Sequence, residues 1–201
     1  MSDLSPSVGS VCVYCGSSDA ADPAYLDAAA AFGQLLARQD VRLVYGGGGV
    51  GLMGACARAA RAAGGRVLGV MPEFLRQREI LYDDVETIVV RSMHERKSLM
   101  FEQADAFAVF PGGIGTLEEV VELMSWRRLG LHSKPIVFVN LGGFWEPLFA
   151  LLRHMVDQNL TPESFMATWR SVETVEMILP AVRAMMAEEI PETPLLIPRV
   201  T

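Results

Sequence analysis

Short apolar runs alternate along this chain with longer alanine-rich or amphipathic stretches, and this alternation restricts the fold more than any other feature. The short runs, rich in β-branched and aromatic residues, lie at residues 10–15, 42–45, 66–70, 85–90, 106–110 and 135–139. Helical patterns separate them at residues 23–39, 51–63, 93–104, 116–129 and 145–158. Such alternation is typical of a parallel sheet with helices on both faces. The sequence therefore predicts an α/β fold, a Rossmann-like doubly wound parallel sheet.

The whole pattern fits one domain. A chain of 201 residues with 51 % hydrophobic residues can bury one sizeable core, and we predict a single α/β domain over residues 1–189. Two more helical segments are expected at 162–168 and 174–188, and a loop at 73–84, where charge is mixed and periodicity weak. Residues 190–201 carry three prolines and are predicted to form a loosely held tail.

Charge and cysteine content restrict the partners and the compartment. Seventeen basic against 24 acidic residues give a net charge of −7, which argues against a nucleic-acid polymer or an anionic membrane as partner. Residues 1–10 lack a secretory signal pattern, and no apolar run approaches the roughly 20 residues of a membrane span. In a strand, Cys12 and Cys15 point to opposite faces, so ordinary buried thiols are expected rather than a metal or redox pair. We expect a cytoplasmic protein.

Three glycine- or serine-rich loops follow predicted strands, at residues 16–18, 46–49 and 112–115. In an open parallel sheet, ligands bind at the carboxyl ends of the strands, where such loops lie. The third loop, in Pro-Gly-Gly-Ile-Gly-Thr-Leu-Glu-Glu at 111–119, leads directly into a helical pattern. A helix that begins near Thr116 would direct unpaired N–H groups and a positive dipole end at an anion. A phosphate is the expected ligand, with Glu118 and Glu119 close to it.

Residues 49–54 match the dinucleotide fingerprint G-x-G-x-x-G, and Glu73 follows about 20 residues later, as that fingerprint requires. The fingerprint normally belongs to the first strand-to-helix turn, whereas this match follows the second strand. Phosphate contact, tight packing of a helix on a strand, and nicotinamide or flavin binding therefore all stay open. A Walker loop is excluded, because no Gly-Lys-Ser/Thr follows.

Two capping-box patterns compete with functional interpretations of the same residues. Thr116 and Glu119 fit T-x-x-E, so Glu119 could cap a helix, act in chemistry, or do both. Ser92 and Glu95 form a second box, which places Arg96 and Lys97 in the first turn of a helix at the end of a strand. This basic pair is either a solvated surface or a binder of phosphate and base.

Metal and nucleophile chemistry have little support in the sequence. His94, His132 and His154 show no metal-ligand spacing, and no G-x-S-x-G elbow is present. We expect neither a metal nor another cofactor.

The chain resembles a known family in two motifs. Residues 111–119 fit P-G-G-x-G-T-x-x-E, and residues 93–97 fit M-H-x-R-K, of the LOG family of cytokinin riboside 5′-monophosphate phosphoribohydrolases. An early C-x-x-C-G-S-S turn and a Tyr-Gly-Gly-Gly loop followed by Gly-Leu-Met-Gly extend the resemblance over residues 11–158. The resemblance implies hydrolysis of the N-glycosidic bond in a 5′-mononucleotide of adenine or N6-modified adenine. The products would be the free base and ribose 5-phosphate.

The resemblance also implies roles for individual residues. Arg96 and Glu119 match the catalytic pair. Positions that match contacts to the nucleotide are Glu79, Lys97, Gly112, Gly113, Gly115, Thr116 and Glu118. The loops with Ser17 and with Gly46, Gly47 and Gly48 are expected to assist in binding the substrate. The resemblance further suggests a homodimer with the site near the interface, and the long apolar faces of helices 119–129 and 145–158 would suit a second subunit or ordinary core packing.

Two other classes of function compete with this hydrolase. The same sheet and loops could carry a nucleotide-like ligand, such as a pterin cofactor, without altering it. A nicotinamide oxidoreductase would depend only on residues 49–54 and Glu73. Arg96 and Glu119 together favour the hydrolase, because a carrier does not require that pair.

Overall fold

Seven parallel strands form one sheet in the structure, a computed structural model that describes residues 7–76, 82 and 84–188. In chain order the strands are β1 Ser10–Tyr14, β2 Arg42–Tyr45, β3 Val67–Pro72, β4 Glu86–Val90, β5 Ala106–Val109, β6 Ile136–Val139 and β7 Arg170–Val172. The helices are α1 Pro23–Arg38, α2 Gly51–Ala62, α3 Glu73–Arg76, α4 Met93–Glu102, α5 Ile114–Arg128, α6 Glu146–Asp157 and α7 Ile178–Ala187.

The strand order is β4-β3-β2-β1-β5-β6-β7. The chain therefore builds outward from β1 to β4, returns to place β5 beside β1, and builds outward again to β7. This reversal leaves a crevice between the carboxyl ends of β1 and β5, where ligands bind in open α/β sheets. The loops after these two strands are joined there, since the Gly16 N–H donates to the Pro111 carbonyl at 3.0 Å. The predicted doubly wound α/β fold is confirmed.

Two apolar layers enclose the sheet, because successive strand residues point to opposite faces. Val11 and Val13 of β1 pack with α1, α2 and α7, while Cys12 and Tyr14 pack with α4, α5 and α6. Cys15 lies in the first layer and Cys12 in the second, so the prediction that these thiols point apart is confirmed. Burial raises the pKa of both thiols, which leaves them neutral and unreactive at physiological pH.

Local sequence signals fix several helix ends. Asp22 caps α1 by accepting from the Ala24 N–H at 2.9 Å, and Pro23 occupies the first turn. After α2, Gly64 takes a positive φ of +78°, a conformation that glycine adopts at little cost. Among the helices of the described residues, none combines the length and the apolar composition that a membrane span requires.

The structure differs from the prediction in several places. Strand β7 was not predicted, because three residues are too few to show a periodic pattern. It is defined only by its parallel pairing with β6, in which Val137 lies opposite Arg170. The loop expected at 73–84 begins with the one-turn helix α3. The segment 162–168 contains only a 3₁₀ turn at Glu163–Ala167, and 174–188 divides into a 3₁₀ turn at Val175–Met177 and α7. The predicted tail at 190–201 lies outside the described residues.

Candidate active site

Arg96 lies one turn into α4, at the carboxyl end of the sheet, and only 7 % of its surface is exposed. The predicted cap that starts this helix is confirmed, since Ser92 Oγ accepts from the Glu95 N–H at 3.1 Å. The Glu95 carboxylate reaches back to the Arg91 N–H at 2.8 Å, one residue beyond the expected one. The interpretation of Arg96 as part of a solvated surface is wrong, because the side chain turns inward.

Backbone carbonyls hold the Arg96 guanidinium. Its Nε donates to the Val70 carbonyl in β3 at 3.2 Å, and its Nη2 donates to the Gly46 carbonyl after β2 at 3.0 Å. The remaining nitrogen, Nη1, lies 3.9 Å from Glu119 Oε1 and 3.9 Å from Met93 Sδ. Two nitrogens are thus fixed by the backbone, and the third faces the acidic side chain.

Glu119 belongs to the second turn of α5, and its predicted capping role is wrong. Helix α5 begins at Ile114 with Gly113 as its N-cap, two residues before the expected start, so Thr116 lies within the first turn instead of capping it. The Glu119 side chain is 12 % exposed and points towards Arg96. Glu119 therefore does not cap the helix, and its carboxylate lies beside Arg96.

Burial raises the pKa of Glu119 to about 7, and the neighbouring carboxylates Glu118 and Glu122 act in the same direction. Arg96 and Lys97 oppose this shift but do not cancel it. A carboxyl group with a pKa near 7 exists in both protonation states at neutral pH. That is the property required of a general acid or base.

Lys97 connects α4 to α5 beside this pair. Its Nζ lies 2.5 Å from Glu118 Oε1 and 2.9 Å from Glu122 Oε2. Burial alone would lower the pKa of Lys97, but the two carboxylates outweigh it and the pKa is raised. Sequence reasoning missed Glu122, although its spacing of four from Glu118 places both residues on one helix face.

The N-terminus of α5 is open towards the crevice. The first N–H groups of any helix have no partner within the helix, and at α5 no side chain of the N-cap residue accepts from them. A Cβ atom added at Gly113 or Gly115 would have no heavy atom within 4 Å, which leaves the backbone accessible. At Gly112 a Cβ atom would overlap the Thr116 hydroxyl, so that glycine lets Thr116 pack. The arrangement suits a phosphate at the helix end.

The N-terminus of α2 has a different environment. The Gly51 N–H donates to Asp19 Oδ1 at 2.7 Å, so a carboxylate of the chain itself occupies this helix end. Gly51 has a φ of +59°, and a Cβ atom there would lie 2.5 Å from the Ser17 carbonyl carbon. At Gly54 a Cβ atom would overlap the Gly49 carbonyl. The match to G-x-G-x-x-G is therefore explained by tight packing of α2, and the dinucleotide interpretation loses its support.

The remaining predicted site residues are in the loops after β1 and β2 and in the segment after α3. Ser17 is exposed in the loop after β1, whereas Gly46, Gly47 and Gly48 are buried after β2. Glu79 lies outside the described residues. Within the described part of the chain, no group of three or more His, Cys, Asp and Glu side chains is placed to hold a metal ion.

Comparisons of sequence relate the chain to known proteins. A family model described as "Possible lysine decarboxylase" matches residues 53–182. The probable cytokinin riboside 5′-monophosphate phosphoribohydrolase LOGL9 of Oryza sativa subsp. japonica is 46 % identical over 77 % of this chain and 68 % of its own length. The cytokinin riboside 5′-monophosphate phosphoribohydrolase LOG2 of Arabidopsis thaliana is 44 % identical over 74 % of this chain and 70 % of its own length.

Solved structures share the fold at low sequence identity. The molybdenum cofactor binding protein of Rippkaea orientalis superimposes with a TM-score of 0.68 at 22 % identity, covering 88 % of this chain and 96 % of that one. The molybdenum cofactor carrier protein of Chlamydomonas reinhardtii gives 0.68 at 20 % identity, with 89 % and 98 % covered. At these identities the likeness shows the architecture alone.

Proposed function

The chain belongs to the LOG family of cytokinin riboside 5′-monophosphate phosphoribohydrolases, and from this we propose that it cleaves the N-glycosidic bond of adenine-type nucleoside 5′-monophosphates. The substrate class includes AMP and nucleotides with an N6-modified adenine. The products are the free base and ribose 5-phosphate. The observation that carries the proposal is the buried Arg96–Glu119 pair beside the open N-terminus of α5.

The 5′-phosphate binds at the start of α5 in this proposal. The N–H groups near Gly113 and Gly115 donate to its oxygens, and the positive end of the helix dipole adds to the attraction. Because Glu119 follows in the second turn of the same helix, a phosphate held there brings the ribose next to its carboxylate. Positioning of this kind supplies a large part of the rate enhancement.

Glu119 acts in its carboxylate form. When the bond from C1′ to the base breaks, the electron pair leaves with the base and positive charge develops on the sugar ring. The carboxylate stabilises that charge, and it accepts a proton from the water that attacks C1′. A pKa of about 7 suits this base, since the group is both available and basic at neutral pH.

Arg96 stabilises the departing base. Its Nη1 faces Glu119, on the side where the substrate would lie, and donates hydrogen bonds to the purine as negative charge develops there. An arginine holds its protons tightly, so a second water donates the proton that the base gains, and the hydroxide left behind takes back the proton that Glu119 accepted from the attacking water. In this proposal Glu119 therefore acts on the attacking water, and Arg96 acts on the departing base.

Incubation of the purified protein with AMP or with isopentenyladenosine 5′-monophosphate tests the proposal, with free base and ribose 5-phosphate followed by chromatography. Release from either nucleotide that is lost in Glu119→Gln and kept in Glu102→Gln, a change at an exposed carboxylate at the end of α4, supports the hydrolase and ranks the two substrates. Adenosine is the matched control for the phosphate and should not be cleaved. Tight nucleotide binding without release would instead support the alternative, a non-catalytic carrier of a nucleotide or pterin-type ligand.

We further propose that the protein is a cytoplasmic homodimer that includes helix α5 in its interface. Val121 on α5 is 45 % exposed, and Leu129 and Leu131 just after the helix are 44 % and 68 % exposed. Apolar side chains grouped in this way favour contact with a second copy. Sedimentation of the native protein and of Val121→Glu tests the assignment, which fails if both sediment as monomers or if both sediment as dimers.

A further inference from the structure

Four consecutive glycines follow β2, and the structure gives the first of them a specific neighbour. The Gly46 carbonyl accepts from Arg96 Nη2 at 3.0 Å, and a Cβ atom added at Gly46 would overlap that same nitrogen. The added atom would also lie 3.3 Å from Met53 Sδ. The guanidinium of Arg96 therefore fills the space that any side chain at position 46 would need.

The next residue turns the chain so that two carbonyls face one cation. Gly47 has a φ of +82°, and a Cβ atom there would lie 3.2 Å from Met71 Cβ on the adjacent strand β3. Glycine is the residue that takes this conformation and this close approach without strain. The Val70 carbonyl of β3 meets Arg96 Nε at 3.2 Å, beside the Gly46 carbonyl. A buried cation requires such acceptors, because it has lost its water.

We propose that the loop at Gly46 and Gly47 is a socket for the Arg96 guanidinium rather than a phosphate cradle, and that Gly46 is a positioning residue for the reaction. The socket engages Nε and Nη2 and leaves Nη1 as the nitrogen that faces Glu119 and the substrate. The catalytic consequence rests on the proposed hydrolase, whereas the socket itself does not. The phosphate then depends on the start of α5 alone.

Gly46→Ala tests the socket directly, and the Nε–H resonance of Arg96 in a proton–nitrogen correlation spectrum is the first readout. That resonance is assigned by its absence in Arg96→Lys. In Gly46→Ala we expect it to shift and to lose its protection from exchange with water, because the methyl group displaces the guanidinium. An unchanged, protected resonance would overturn the proposal.

Ligand binding and turnover separate a socket from a phosphate cradle. Gly46→Ala should bind ribose 5-phosphate as tightly as the native protein does, by calorimetry, while kcat falls by about 100-fold, as expected for a misplaced catalytic group. Gly113→Ala is the matched control, since it lies in the expected phosphate loop and has open space around it. It should weaken ribose 5-phosphate binding and leave the Arg96 resonance in place. Weakened binding in Gly46→Ala with an unmoved Arg96 resonance would show a phosphate cradle.

A stability cycle covers the case in which Gly46→Ala folds poorly. Removal of the Arg96 side chain vacates the space for the methyl group, so Gly46→Ala should lower Tm much less in the Arg96→Ala background than in the native one. Equal losses in both backgrounds would mean that the methyl group collides elsewhere, and the socket would be refuted. Neither the resonance nor the cycle requires turnover, so failure of the hydrolase assay would not be confused with failure of the socket.

Discussion

Glu119 Oε1 lies 3.9 Å from Arg96 Nη1, and the two side chains are 12 % and 9 % exposed. This separation is too long for a direct hydrogen bond, which requires about 3 Å. The carboxylate has thus lost much of its water without gaining a tightly bound partner, and burial raises its pKa to about 7. A ligand group bound beside the pair would contact both side chains.

Glu119→Gln should lower kcat by about 100-fold or more, because an amide neither stabilises the sugar cation nor accepts a proton. Affinity for the nucleotide should change little, since the phosphate contacts lie elsewhere. Steady-state kinetics with direct binding by calorimetry checks both expectations. Glu102→Gln, at an exposed position at the end of α4, is the control, and a fall in kcat of the same size there would contradict the special role of Glu119.

The stability of the native protein should fall as the pH rises from about 4.5 to about 7. Since folding raises the pKa of Glu119 from 4.5 to about 7, the folded chain binds more protons than the unfolded chain in this range. The protonated group stabilises the folded state fully below pH 4.5, and this stabilisation is lost as the pH rises through about 7. The free energy of unfolding changes by up to about 3 kcal/mol over this range. Urea unfolding of the native protein and of Glu119→Gln from pH 5 to 8 measures it. The free energies of unfolding should diverge in favour of the variant as pH rises; parallel curves would contradict the assignment.

The rate should depend on pH through the same group. We expect kcat/KM for the nucleotide to rise with pH through a midpoint near 7, because the carboxylate is the active form. Lys97→Met removes a cation that lowers the pKa of Glu119 and leaves Glu118 and Glu122 without their partner. The midpoint should therefore move to higher pH, and Lys97→Arg should restore it. An unmoved midpoint in Lys97→Met would show that another group controls the rate.

Gly51→Ala should destabilise the protein by about 3 kcal/mol, because it combines an unfavourable φ with a steric overlap. The added Cβ atom would lie 2.5 Å from the Ser17 carbonyl carbon. Gly64→Ala is a matched control with a φ of +78° and open space, and should cost about 1 kcal/mol. Urea denaturation measures both losses. Equal losses of unfolding free energy in the two variants would mean that the contact with the loop after β1 does not contribute to the destabilisation.

The sequence predicted the sheet more accurately than the details of the site. Strand β2 has the predicted bounds, and α1 and α2 begin at the predicted residues, because alternation of apolar runs and local caps are readable in the chain. Strand β7 and the start of α5 were not predicted correctly. The first depends on pairing with a strand distant in the chain, and the second on a glycine N-cap without a side-chain signal.

Residue types and spacing by themselves determined the α/β class and predicted the carboxyl ends of the strands as the place of the site, whereas the resemblance to a known family supplied Arg96 and Glu119 as the candidate pair. Tertiary structure decided the burial and the orientation of these two side chains. Only packing removes Glu119 from water and so brings its pKa to about 7, and only the approach of β2 to β3 directs two carbonyls at Arg96. Burial and orientation arise from residues far apart in the chain, so no local pattern encodes them.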